Sequence, residues 1–218
     1  MKKIENLKIA IIDYGMGNLF SVLHAFESLG AKPVITTDID YIIKADAALL
    51  PGVGAFGDAM QNMEKLDLIL PIQDFISSGK PFMGVCLGMQ LLFSESSEFG
   101  LHQGLGIIEG KVQKFPDKNK FDTLIRVPQI GWNTIQKPEN KSWKNTPLDK
   151  TQENEFMYFV HSYCGYPADK TWILTETEYE KINYTSSVGK DKVVAFQFHP
   201  EKSGPEGIKI YERWLELV

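Results

Sequence analysis

Short apolar runs alternate with amphipathic stretches through the first half of the chain. Ile9-Ala-Ile-Ile-Asp13 is a β-branched run ending at Gly15, which predicts a buried strand. Apolar residues then recur at helical spacing from Asn18 to Leu29, and Gly30 supplies the stop. Pro33-Val-Ile-Thr36 and Ala47-Ala-Leu-Leu50 predict two further strands, the latter closing at Pro51-Gly52. Helical patterns cover Phe56 to Met63 and Leu70 to Ser77. Pro81-Phe-Met-Gly-Val85 predicts a fourth strand and Leu87 to Ser94 a helix. Strands of this kind between helices predict an α/β fold with three layers: an open, mostly parallel sheet with helices on both faces.

The second half reads differently. Ile125-Arg-Val-Pro, Phe156-Met-Tyr-Phe-Val160, Thr171-Trp-Ile-Leu and Lys181-Ile-Asn-Tyr-Thr-Ser are aromatic and β-branched runs between turn residues, and they predict an antiparallel extension of the sheet. Asp117 to Lys120 and Gln136 to Asn154 are polar and read as surface loops. Val193-Val-Ala-Phe-Gln-Phe198 predicts a last core strand, and Gly204 to Val218 an amphipathic helix. No repeat, low-complexity tract or composition shift divides the chain, so one domain over residues 1–218 is expected.

Composition narrows the function classes. Hydrophobic residues make up 43%, enough for a large core, which excludes disorder as the main state. The net charge of −5 argues against a nucleic-acid partner, which calls for a basic surface. No run of about 18 apolar residues is present, so no membrane span is expected. Met1-Lys-Lys-Ile-Glu-Asn-Leu-Lys8 lacks the apolar core of a signal peptide. Two cysteines are too few for a disulfide framework. Together these point to the cytoplasm. No His/Cys/Asp cluster has metal-ligand spacing, so no metal or cofactor is expected.

The sharpest chemical signal is Gly84-Val85-Cys86-Leu87-Gly88-Met89-Gln90, which has the form of a nucleophile elbow. A strand turns tightly into a helix with the thiol at the tip, and the flanking glycines let neighbouring backbone pass without a Cβ clash. The helix start favours thiolate, and the Leu87 amide is placed to donate to an oxyanion. A lone cysteine is more often a small core residue; the strand before and the helix after Cys86 favour the nucleophile instead.

A thiol nucleophile needs a base. His199 follows the strand Val193–Phe198, so it and Cys86 both stand at strand carboxyl ends, where open α/β sheets gather their chemistry. Glu201, across Pro200, is spaced to orient the imidazole through Nδ1. His24 sits in a helical pattern and His102 in a loop without a visible partner; His161, closing the strand Phe156–Val160, is the rival base. Leu50-Pro51-Gly52-Val53-Gly54-Ala55-Phe56-Gly57 contains a literal G-x-G-x-x-G, but it follows the third strand and lacks the acidic residue that a dinucleotide site needs. A loop of exposed amides able to bind an oxyanion, or a plain glycine turn, are the readings left open.

Gly84–Gln90, Pro51–Gly54 and His199-Pro-Glu201 together resemble the class I (triad) glutamine amidotransferases. Val127-Pro-Gln-Ile-Gly-Trp-Asn133 and Tyr158-Phe-Val-His-Ser-Tyr163 narrow the resemblance to the glutaminase subunits that serve a (β/α)8-barrel synthase, over Ile9 to Glu216. The resemblance implies that Cys86 attacks the side-chain amide of glutamine, that His199 transfers protons and that Glu201 orients it. It implies an oxyanion site from Leu87 and the Gly52–Val53 segment, misoriented until partner and acceptor bind. It implies glutamine contacts from Gln90, Glu98, Ser162 and Tyr163, and a barrel-facing surface with Asn18, Trp132 and Lys202. Ammonia then passes to the barrel subunit, which makes imidazole glycerol phosphate and aminoimidazole carboxamide ribotide in histidine biosynthesis. One departure is Gln129, where members committed to that pathway often carry histidine. It leaves open an alternative in which the ammonia amidinates a bacterial surface sugar. A degenerate scaffold, or a different triad hydrolase on the same fold, are the readings from other classes. The filled triad weighs against the first, and Gly88-Met-Gln90 with Gly131-Trp-Asn133 against the second.

Overall fold

The computed structural model describes residues 4–139 and 141–218. Met1 to Lys3 of the charged start, and Asn140 of the polar stretch from Gln136 to Asn154, lie outside the described residues. In chain order the first half holds β1 (Ile9–Ile12), α1 (Leu19–Ser28), β2 (Val34–Thr36), α2 (Ile39–Lys44), β3 (Ala47–Gly52), α3 (Phe56–Lys65), α4 (Ile69–Ser77), β4 (Phe82–Cys86) and α5 (Leu87–Leu91). There follow β5 (Phe93–Ser96), β6 (His102–Gln103), β7 (Ile108–Lys114), β8 (Gln129–Ile135), β9 (Glu155–His161), β10 (Tyr163–Pro167), β11 (Ile173–Tyr179), β12 (Ile182–Lys190), β13 (Val193–Phe196) and α6 (Gly204–Glu216).

The main sheet runs β11-β12-β13-β4-β3-β1-β2. Its five strands from β13 to β2 are parallel, and β1, β3, β4 and β13 are buried at every position. Strands covered on both faces must be apolar throughout, which is why these segments read as unbroken apolar runs. One face packs on α1 and α6, where the Phe26 ring meets Tyr211 at 4.7 Å between centroids and Trp214 edge-on at 5.8 Å. The other carries Phe56, Ile72, Phe75 and Leu87 from α3, α4 and α5. The three-layer expectation therefore holds, and β11–β12 supply an antiparallel extension.

Several boundaries differ from the sequence reading. The helix expected over Leu87 to Ser94 stops at Leu91, and Phe93 begins a strand parallel to β7. Leu91-Leu92-Phe93 suits a buried helix or a buried strand equally, and pairing of Phe93 with Ile108 decides it. The run Phe156–Val160 does not extend the main sheet. It pairs with β8 in a two-stranded ribbon, while β10 joins β7, β5 and β6 in a separate four-stranded sheet. Ile125–Pro128 forms no strand; the chain passes a cis Val127–Pro128 peptide and enters β8 at Gln129. Thr171 and Trp172 lie in a 3-10 turn before β11. The short helix α2 has no counterpart in the sequence reading; Asp38 caps it, accepting from the Asp40 and Tyr41 amides. The polar loop from Gln136 is pinned by buried Trp143, whose Nε1 donates to the Leu174 carbonyl at 2.8 Å. No helix among the described residues is long and apolar enough to cross a membrane.

Candidate active site

The elbow forms where β4 meets α5. Cys86 has φ 54° and ψ −110°, a left-handed conformation that holds its side chain at the tip of the turn. Both flanking glycines are required by close approach. A methyl group on Gly88 would overlap the Leu50 carbonyl, and one on Gly84 would lie 2.8 Å from the Gly88 carbonyl oxygen. Because α5 has only five residues, its macrodipole is short. The sulfur lies 3.9 Å from the Val160 carbonyl oxygen and accepts from Gln197 Nε2 at 3.8 Å.

His199 arrives at the neighbouring strand end. Its N–H donates to the Tyr158 carbonyl at 2.9 Å, and its carbonyl accepts from Ser203 Oγ at 2.6 Å. Ser203 Oγ in turn accepts from the Tyr158 N–H at 2.9 Å. These bonds clamp the segment 199–203 to β9. His199 Nδ1 donates to Glu201 Oε1 at 2.7 Å, and Glu201 Oε2 accepts from Tyr211 Oη at 3.0 Å. Both triad side chains are nearly sealed from solvent. Burial pushes the His199 pKa down, but Cys86 and Glu201 outweigh it and push it up to about 10. The Nε2–sulfur pair falls outside hydrogen-bond geometry, yet the sulfur still raises the imidazole's hold on its proton. A thiol, an imidazole and an orienting carboxylate in this order can carry out acyl transfer through a thioester.

A cavity of about 280 Å³ opens beside Cys86. Val53, Leu87, Gln90, Glu98, Ser162 and Tyr163 line it, so the structure brings together the residues expected to meet the oxyanion and glutamine. Gly52 lies in register with Cys86 at the end of the β3–β4 ladder. Gln90 Nε2 donates to the Tyr163 carbonyl at 2.9 Å, tying α5 to β10. Burial pushes the Glu98 carboxyl pKa up, while the Phe56 N–H, 2.6 Å from its Oε2, pulls it the other way.

The rival base His161 and the other two histidines are engaged elsewhere. His161 lines the cavity, but its Nδ1 donates to the Tyr163 carbonyl at 2.9 Å and its Nε2 lies 3.2 Å from Tyr184 Oη. Burial pushes its pKa down to about 4, so it stays neutral with both nitrogens engaged. His24 is exposed beside Glu27, and the His102 ring packs against Gly57. Cys164 is buried behind the site, and burial pushes its thiol pKa up. Gln129 is only 2% exposed and bonds Tyr184 Oη at 3.0 Å. It therefore supports the wall behind His161. Asn18, Trp132 and Lys202 are exposed, with Trp132 stacked edge-on to Tyr158 and its ring 4.0 Å from the space above Gly204. Ile130 and Phe156, also exposed, share the outer face of the β8–β9 ribbon with Trp132.

Two residues of the site were not singled out from sequence. Gln197 is fully buried; its Oε1 accepts from Gln90 Nε2 at 3.0 Å while its Nε2 serves the sulfur. Its place directly before Phe198-His199 was the available signal. Tyr211 lies on the apolar face of α6, and nothing local to α6 marks its hydroxyl as the second partner of Glu201.

The fold and the strand-to-helix elbow are those of a glutamine amidotransferase, and the chain belongs to the family described as glutamine amidotransferase class-I, whose model matches residues 10–217. Within it, the chain is 46% identical over 211 residues to imidazole glycerol phosphate synthase subunit HisH of Aquifex aeolicus, covering 95% of this chain and 96% of that one. It is 45% identical over 208 residues to the subunit of the same name from Sulfurimonas denitrificans, covering 95% and 97%. Among solved structures, PurLQS from Thermotoga maritima superposes with a TM-score of 0.68 at 18% identity, covering 96% of this chain and 98% of that one. That likeness shows the shared fold.

Proposed function

We propose that this chain is the glutaminase subunit of an imidazole glycerol phosphate synthase in histidine biosynthesis, acting as one amidotransferase domain in the cytoplasm beside a (β/α)8-barrel synthase subunit. The near full-length similarity to subunits of that name carries this reading. The Cys86–His199–Glu201 array supports the chemistry. The His199 imidazolium holds the proton given up by the Cys86 thiol, and the sulfur attacks the Cδ of glutamine. The oxyanion is held by the Leu87 amide and one from the Gly52–Val53 segment. The C–N bond breaks as His199 protonates the departing ammonia. Water, deprotonated by His199, then cleaves the thioester to glutamate. Gln90, Glu98, Ser162 and Tyr163 hold the substrate, while Asn18, Trp132 and Lys202 face the barrel; an exposed Trp suits such an interface. Gln129, buried against Tyr184, lends no weight to a sugar acceptor.

The test uses the complex with the barrel subunit. Cys86→Ala abolishes glutamine-dependent synthesis while ammonium chloride still supports it. Normal glutamine use by that variant would refute the nucleophile.

A further inference from the structure

Tyr14 follows β1, 1% exposed, and its hydroxyl is one of only three side-chain polar atoms among the described residues that are buried without a hydrogen-bond partner. A native hydroxyl left unpaired in the interior costs free energy and calls for an explanation. Its surroundings supply one. A methyl group on Gly52 would overlap the Tyr14 oxygen, so the hydroxyl rests against the Gly52 Cα. The neighbouring loops interlock: a methyl on Gly54 would meet Met16 Cε at 2.5 Å, and one on Gly17 would lie 3.8 Å from the Gly52 Cα. The orphan therefore lies against the segment assigned above to the oxyanion.

The sheet shows which way that segment faces. The Ala48 N–H donates to the Pro81 carbonyl at 3.0 Å, which sets the phase of the β3–β4 ladder. Carried by two-residue steps to Gly52, opposite Cys86, that phase turns the Gly52 carbonyl toward β4 and the Leu87 amide. A carbonyl there opposes an incoming oxyanion, and the Val53 N–H faces away from the sulfur. A half-turn of the Gly52–Val53 peptide exchanges the two. Gly52 and Gly54, the latter at φ 108°, allow it. Because β3 lies between β4 and β1, the carbonyl then swings to the β1 side, where Tyr14 sits.

We infer that Tyr14 is a positioning residue that anchors the catalytic orientation of the oxyanion segment, its hydroxyl donating to the Gly52 carbonyl once the Gly52–Val53 peptide has turned. In the present orientation the hydroxyl has no acceptor; in the turned one it gains its bond while the Val53 amide gains its place at the oxyanion. Burial first, then the negative charges of Cys86 and Asp13, raise the Tyr14 pKa, so the hydroxyl keeps the proton that it donates. The hydrogen bond acts by shifting the population of the turned state.

This inference rests on the amidotransferase reading, and the experiment separates the two. In the complex with the barrel subunit, Tyr14→Phe lowers kcat for glutamine-dependent synthesis about tenfold, equivalent to about 1.4 kcal/mol. KM for glutamine and the rate with ammonium chloride stay unchanged. The melting temperature does not fall, because the unpaired hydroxyl is gone. An unchanged or raised glutamine kcat overturns the anchor. So does a melting temperature or ammonium-driven rate that falls in step with kcat, since the hydroxyl would then serve the fold alone. Glutamine use surviving Cys86→Ala would refute the underlying chemistry instead.

Discussion

Tyr211→Phe isolates what one hydroxyl on α6 does for the base. Tyr211 is fully buried and the Glu201 side chain is 2% exposed, so the bond between Tyr211 Oη and Glu201 Oε2, 3.0 Å, is made out of water's reach. Phenylalanine fills the same volume, keeps the ring contact with Phe26 and leaves no cavity. What is lost is a donor to a buried carboxylate, worth about 1.5–3 kcal/mol. For a chain of this length each kcal/mol moves the melting temperature by about 2–4 °C, so a fall of about 3–12 °C is expected. Glu201 keeps its bond to His199, 2.7 Å, so glutamine turnover in the complex falls but stays well above that of Glu201→Ala. Thermal unfolding and steady-state turnover of the two variants read both effects. Unchanged melting and turnover in Tyr211→Phe would refute the reasoning, because the carboxylate would then need no second donor.

Two further outcomes follow from the elbow and the imidazole. Gly88→Ala drives a methyl group into the Leu50 backbone carbonyl, which cannot swing aside as a side chain could, so a loss of about 1–3 kcal/mol in urea unfolding is expected, together with slowed labelling of Cys86 by a glutamine-like diazo ketone; wild-type stability and labelling would contradict the close approach. His199, its pKa raised from 6.5 to about 10, contributes stability that is fully present below about pH 6.5 and is lost as pH rises toward 10. Unfolding free energies measured across that window should fall in the wild type with a slope approaching 1.4 kcal/mol per pH unit, and less steeply in His199→Asn; parallel curves would show that the imidazole is not held protonated.

The parts legible in the sequence are those whose constraint is local. Gly84 and Gly88 flank Cys86 within one turn, and Glu201 reaches His199 across a single proline, so spacing alone pointed to both. The parallel core was legible because β1, β3, β4 and β13 are buried on both faces and therefore uniformly apolar. Where pairing over distance decides, the sequence is silent. Ile108-Glu-Gly-Lys-Val-Gln-Lys114 exposes most of its residues and becomes a strand only through its partners β5 and β10. Phe93 continues a helical pattern in the sequence, and the strand partner that decides otherwise lies beyond it in the chain. Gln197 meets Cys86 from beyond the end of β13, with only the adjacent Phe198-His199 to mark it, and Tyr14 lies against Gly52 with no local signal at all.

The adjacent strands β13, β4, β3 and β1 each bring one residue to the same edge: His199, Cys86, Gly52 and Tyr14. Each rides on its own connection, so lengthening or rebuilding one loop displaces one component while the sheet keeps the others aligned. Such a row behaves as a modular workbench: the β3 or β1 loop can be rebuilt without disturbing how the Cys86 thiol meets the His199 imidazole.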